Sequence, residues 1–197
     1  MSLPTVSRRR WLIGATLAGA GVGAAASMRH ESARAAAPIV LGTGRHRYEW
    51  VPNWGPLPTG KDYGNTHGGI AIDANERVYV NTDTADAVLT FDTDGRFLGS
   101  WGKDFVGGLH GMTLVRQCDD EVLYLTHTGR HEVVKTTLDG KVLLTFPFPD
   151  KAGVYKTPDE YKPTGVAVGP NGNVYIGDGY GKSWVHQYGP AGDYIRS

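Results

Sequence analysis

Three stretches of this chain repeat one pattern, and that repeat limits the possible folds more than any other feature of the sequence. A Gly is followed by alternating apolar residues, a short polar turn, and an apolar-Tyr-apolar run. The copies read Gly69-Ile70-Ala71-Ile72-Asp73 with Val78-Tyr79-Val80, Gly111-Met112-Thr113-Leu114-Val115 with Leu123-Tyr124-Leu125, and Gly165-Val166-Ala167-Val168-Gly169 with Val174-Tyr175-Ile176. Each then reaches a second turn, at Asp94-Gly95, Asp139-Gly140 and Ala191-Gly192. The spacing from Tyr to that turn Gly is 16, 16 and 17 residues. Alternation with a period of two predicts strands with one buried face. A near-constant repeat of short strands predicts a propeller or a solenoid.

The first copy shows how many strands each repeat supplies. Ile70 and Ile72 alternate with Ala71 and Asp73, residues 73–76 form a polar turn, and Val78-Tyr79-Val80 is the second strand. A turn over residues 81–86 precedes Val88-Leu89-Thr90-Phe91. A hairpin turn at residues 92–95, its Gly suited to positive φ, then leads to Phe97-Leu98 and Trp101. Four antiparallel strands make one propeller blade, so the expected fold class is all-β, a β-propeller of four-stranded blades. The 28 Gly and 11 Pro fall mostly between these runs, as tight turns require.

The Gly-to-Gly intervals are 42 and 54 residues. The excess lies in residues 147–161, read as an inter-blade loop. Residues 36–66 read as one N-terminal strand (Arg47 to Val51) plus a connection, and residues 67–197 as the propeller. Three blades leave sheet edges unpaired, and a six-bladed ring of such repeats needs roughly 250 residues. The sequence therefore reads as the N-terminal part of a longer propeller, with association of two copies into one ring as the alternative.

Residues 1–35 read as an export signal. Ser7-Arg8-Arg9-Arg10-Trp11-Leu12 precedes a Gly/Ala-rich apolar stretch, and Ala33-Arg34-Ala35 supplies a small-x-small cleavage pattern. This is the twin-arginine arrangement, and it predicts a periplasmic or extracellular protein; an uncleaved anchor or a basic arm is the alternative. The apolar stretch falls short of the roughly 20 strongly apolar residues that span a bilayer, so no stable membrane insertion is expected after cleavage. Removing the signal leaves 15 Lys and Arg against 19 Asp and Glu, a net of −4. A mildly acidic body offers no electrostatic footprint for nucleic acid. Cys118 is the only cysteine, so no internal disulfide forms, and it reads as a small buried or turn residue.

Blade topology indicates where chemistry can gather. The start of each first strand shares a face with the turn between second and third strands, here residues 81–86, 127–131 and 177–182. His110, His127, His131, Asp178 and Tyr180 are thereby expected at one mouth of the central channel, where propeller ligands sit. Each has a plainer reading. A His before Gly at a strand start can cap a turn, and Asp178-Gly179 is a hairpin signal. His127-x3-His131 has a zinc-like spacing, yet a β turn does not bring both imidazoles to one side as a helix does. Tyr79, Tyr124 and Tyr175 recur and read as packing residues. Tyr180 does not recur, which marks it for a role.

The Gly-apolar-Ala-apolar-Asp opening and the apolar-Tyr-apolar second strand resemble the NHL repeat, over residues 66–197. Two stretches narrow the resemblance. Leu109-His110-Gly111-Met112-Thr113-Leu114 resembles a metal-binding blade opening of the peptidyl-α-hydroxyglycine α-amidating lyases. Pro163-Thr164-Gly165-Val166-Ala167-Val168, continuing to Asp178-Gly179-Tyr180, resembles the blade that carries their catalytic tyrosine. The resemblance implies a zinc ion held by single histidines from separate blades. It also implies a tyrosine and an arginine acting on a carbinol that collapses to an amide and glyoxylate. It places His110 at a zinc-ligand position and Tyr180 at the tyrosine position, where nearby positive charge favours the phenolate. The arginine is expected at residues 81–83, where this chain has Asn81-Thr82-Asp83. His67 stands two residues before Gly69 rather than one and reads as structural. Two functions follow as expectations: a binding module for a peptide, protein or glycan, and a zinc-dependent lyase of the amidating type.

Overall fold

The computed structural model describes residues 37–117 and 120–197; the signal-like segment 1–35 and Cys118 lie outside the described residues. The chain begins with a hairpin, β1 (Ile39–Thr43) and β2 (His46–Trp50), which pair with each other alone. Three four-stranded antiparallel sheets follow. The first holds β3 (Ile70–Ile72), β4 (Val78–Asn81), β5 (Val88–Phe91) and β6 (Phe97–Trp101). The second holds β7 (Leu109–Gln117), β8 (Asp120–His127), β9 (Glu132–Thr136) and β10 (Val142–Phe146). The third holds β11 (Gly165–Val168), β12 (Val174–Gly177), β13 (Val185–Tyr188) and β14 (Tyr194–Arg196).

Every sheet is an up-and-down meander, and the register repeats with it: Ala71 faces Tyr79, Thr113 faces Tyr124, and Ala167 faces Tyr175. A small residue opposite each ring leaves the tyrosine room to lie across its neighbour. The sequence copies thus fold as separate blades of an all-β propeller. Among the described residues the only helical turns are three short 3-10 turns, and no helix is long and apolar enough to cross a membrane.

The blades pack face to face through the middle sheet. Leu123 and Leu125 of β8 enter a core with Tyr79, Val88 and Met112 of the neighbouring strands. Val122 and Tyr124, pointing the other way, enter a second core with Phe146, Val174 and Ile176. A strand buried on both faces must be apolar at successive positions, which is why β8 reads as a nearly continuous apolar run. Each such side chain contributes about 2 kcal/mol by leaving water. Tyr175 occupies the same position in the third sheet but faces away from the second core, and is only half-buried. The first strands β3, β7 and β11 stand side by side and line an open cavity of about 720 Å³.

The N-terminal region differs from its sequence reading. A single strand was expected there, and the structure has two. Ile39-Val40-Leu41 supplies the extra strand, and Gly44, at φ +57°, permits the tight return. The connection that follows docks on the first blade. Trp54 lies 5.5 Å from the Phe91 ring centre and donates its indole N–H to Thr93 O at 3.2 Å. Lys61 pairs with Asp86 at 2.6 Å.

Candidate functional site

His110 opens β7 at an irregularity. Leu109 pairs with His127 and Met112 with Leu125, so three steps on β7 match two on β8. The extra residue makes a bulge, a device that re-aims a side chain at a strand end. Gly111 completes it, because a Cβ there would collide with Thr164 O of the next blade. The adjacent Thr126 hydroxyl accepts from Gly111 N at 2.6 Å.

Two hydrogen bonds fix His110, one at its ring and one at its backbone. His110 Nδ1 lies 3.1 Å from Thr164 O; a carbonyl only accepts, so Nδ1 carries the proton and Nε2 keeps its lone pair. Nε2 is buried and has no partner. The backbone is held from the other side, where Asn81 Nδ2 donates to His110 O at 2.8 Å. Burial depresses the His110 pKa, and the nearby His67 pushes in the same direction. His110 is therefore neutral at pH 7, as ligation requires.

Tyr180 lies edge-on to His110, with ring centres 4.8 Å apart and planes at 85°. It is 66% exposed. His67 stacks on His110 at 4.5 Å with planes 20° apart. The site is thus a cluster of three rings, contributed from before β3, from the start of β7 and from the turn after β12. His67, out of register with the ligand position in the sequence, reaches His110 from the neighbouring blade, just before Gly68 turns the chain at φ +79°. No local sequence signal reports that stack.

The remaining face residues do other work. A residue at the C-terminal end of each second strand is buried and closes its own turn: Thr82, His127 and Asp178. Thr82 Oγ1 donates to Asp86 O at 3.0 Å. His127 Nδ1 accepts from Arg130 N at 3.1 Å. Asp178 accepts from Gly181 N at 2.9 Å and Lys182 N at 2.6 Å. His131 spends Nδ1 on Tyr161 O at 2.7 Å and Nε2 on Asp159 at 3.1 Å. Both His131 nitrogens are thus engaged, whereas His127 keeps Nε2 buried and without a protein partner.

His110 fits the role of a zinc ligand: one ring nitrogen is oriented by a backbone carbonyl and the other is free. Among the described residues no three His, Cys, Asp or Glu side chains gather at metal-binding distances, so the ring cluster offers one well-prepared ligand.

Comparison with known proteins fits this architecture. The family model of the NHL repeat matches residues 161–188. Those residues carry an NHL repeat. The chain is 34% identical over 104 residues to peptidyl-alpha-hydroxyglycine alpha-amidating lyase 1 of Drosophila melanogaster, an alignment covering 51% of the chain and 18% of that protein. Among solved structures it resembles a streptogramin B lyase at a TM-score of 0.51 and 16% identity, over 68% of this chain and 43% of that one. Virginiamycin B lyase from Staphylococcus aureus gives 0.48 and 18% over 67% and 43%. The chain spans less than half the length of these relatives.

Proposed function

We propose that the ring cluster is the reaction centre of a metal-dependent lyase acting on a peptidyl-α-hydroxyglycine, carried on an exported NHL propeller. One observation carries this reading: His110 has one nitrogen committed to Thr164 O and the other buried without a partner, directly beside Tyr180. A buried acceptor left unpaired costs about 1–3 kcal/mol, which a bound cation at Nε2 would remove. The amidating-lyase relative supports the reaction class. A bound zinc would polarise the substrate's oxygen and favour its deprotonation.

The chain's own residues supply the rest. Thr164 O fixes the tautomer of His110, and Asn81 anchors its backbone. The exposed Tyr180, acting as its phenolate, takes the carbinol proton; the carbinol C–O becomes C=O as the C–N bond breaks, and Tyr180 returns that proton to the leaving nitrogen, giving an amide and glyoxylate. The test is zinc content and turnover of the full-length protein on an N-acyl-α-hydroxyglycine. About one zinc per chain is expected, with His110→Ala lowering occupancy sharply and Tyr180→Phe keeping the metal while losing at least about a hundredfold in turnover. Full occupancy in His110→Ala, or unchanged turnover in Tyr180→Phe, overturns the reading.

A second reading has its own support. The position the lyases fill with arginine is here Thr82, buried and engaged within its turn, and NHL propellers commonly serve as interaction modules. On that reading the same face binds a peptide, protein or glycan without turning it over. A metal-free protein that still binds peptide at this face would favour it. For export, replacing Arg8 and Arg9 by Lys should retain the protein in the cytoplasm; continued export would exclude the twin-arginine route.

A further inference from the structure

Residues 147–161, the insertion between the second and third blades, do more than connect them. Tyr155 reaches from the insertion into the third blade. Its hydroxyl donates to Asp178 Oδ2 at 2.8 Å and accepts from His186 Nε2 at 2.7 Å. Asp178 and His186 are both almost wholly buried. Burial, then the Asp178 carboxylate, raise the Tyr155 pKa, so the hydroxyl keeps its proton for the carboxylate. Asp178 in turn accepts from Lys162 N at 2.8 Å and from the two amides that follow Tyr180 in its turn. Lys162 O accepts from Tyr180 N at 3.5 Å, and two residues on, Thr164 O holds His110. The turn leaves no slack, since a Cβ at Gly181 would strike both the Asp178 carboxylate and Glu160 O. Lys182 closes the outer side, pairing with Glu160 at 2.6 Å and donating to Val154 O at 3.2 Å.

We infer that Tyr155 is a positioning residue for the site: by bonding Asp178 it locks the Tyr180 turn onto residues 162–164, the one segment that also holds His110, and so fixes the separation of the two site residues. The inference assigns a role to the insertion and rests on the reading of Tyr180 and His110 only for its catalytic consequence. The phenol of Tyr155 does not touch substrate. It acts through Asp178.

The test is Tyr155→Phe in the full-length protein, read first by amide hydrogen exchange. The ring still packs against Phe148 and Tyr161, so the blade is expected to survive. Gly181 and Lys182 amides should exchange roughly tenfold faster or more, the size expected for losing a hydrogen bond to a charged group, while β8 amides keep their protection. Asp178→Asn, which keeps the shape, should speed the same two amides and that of Lys162. Turnover of an N-acyl-α-hydroxyglycine should fall about tenfold in kcat with KM little changed. Unchanged exchange at Gly181 and Lys182 relative to β8, or an equal acceleration everywhere, overturns the positioning role. Accelerated exchange in a protein with no turnover upholds the positioning role and removes the lyase reading alone.

Discussion

At the scale of single residues, the face is built from imidazoles kept neutral by burial, and this makes stability depend on pH. Burial lowers the His127 pKa to about 4 from an ordinary value near 6.5. The unfolded chain binds a proton between those values while the folded chain does not, so stability falls as pH drops from about 6.5 to 4. His127 alone should account for about 2–3 kcal/mol of that loss, and His110 and His186, also depressed by burial, add to it with the same sign. In His127→Asn the amide oxygen replaces Nδ1 as acceptor for Arg130 N. Urea titrations at pH 6.5 and 4.5 should then show a shallower pH slope for the variant; equal slopes would mean His127 titrates normally. The sequence disclosed part of this face. His110 stands out because Leu109-His110-Gly111 resembles a metal-binding blade opening of the lyases, and Tyr180 because its turn does not recur. His67 and Tyr155 could not be found that way, since each acts across a blade boundary on a residue more than 20 positions away.

At the scale of the element, one turn chemistry recurs in two settings. Asp73 and Asp92 each accept from the amide four residues on and pair with that residue's guanidinium, Arg77 or Arg96. The Asp73 side chain is fully buried and also receives the Tyr79 hydroxyl at 3.0 Å; burial and that carboxylate push the Tyr79 pKa up to about 12. Asp73→Ala leaves several buried donors unmatched and should cost about 2–4 kcal/mol in chemical denaturation. Asp92→Ala, at the solvated hairpin, should cost much less; equal losses would mean that burial is not what separates them. Strand positions of this kind were legible because alternation and turn glycines are local. The first strand of the N-terminal hairpin was not, because Ile39-Val40-Leu41 is a short apolar run with no alternating polar partner to mark it as a strand. The insertion reads as a connection in the sequence, yet its bonds to Asp178 and His131 depend on where two blades meet.

At the scale of the molecule, each blade touches only its neighbours, so stability should divide by interface. Ile176→Ala opens a hole in the core between the second and third blades and should cost about 2–5 kcal/mol. Hydrogen exchange should rise through β11–β13 and leave the β4–β5 amides of the first blade protected; uniform loss across all three sheets would show the blades to be one cooperative unit. Thr164, which sets the His110 tautomer, sits just before β11 rather than inside a strand. The spacing of His110 and Tyr180 therefore rests partly on a connection rather than on the sheet ladders. The blades are free to drift among apolar residues of similar volume, and a change in the length of the segment leading into β11 re-spaces the two rings without disturbing a single sheet hydrogen bond. In a recombination experiment that exchanges such segments between propellers, the spacing of His110 and Tyr180 should travel with the loop and the thermal stability with the strands.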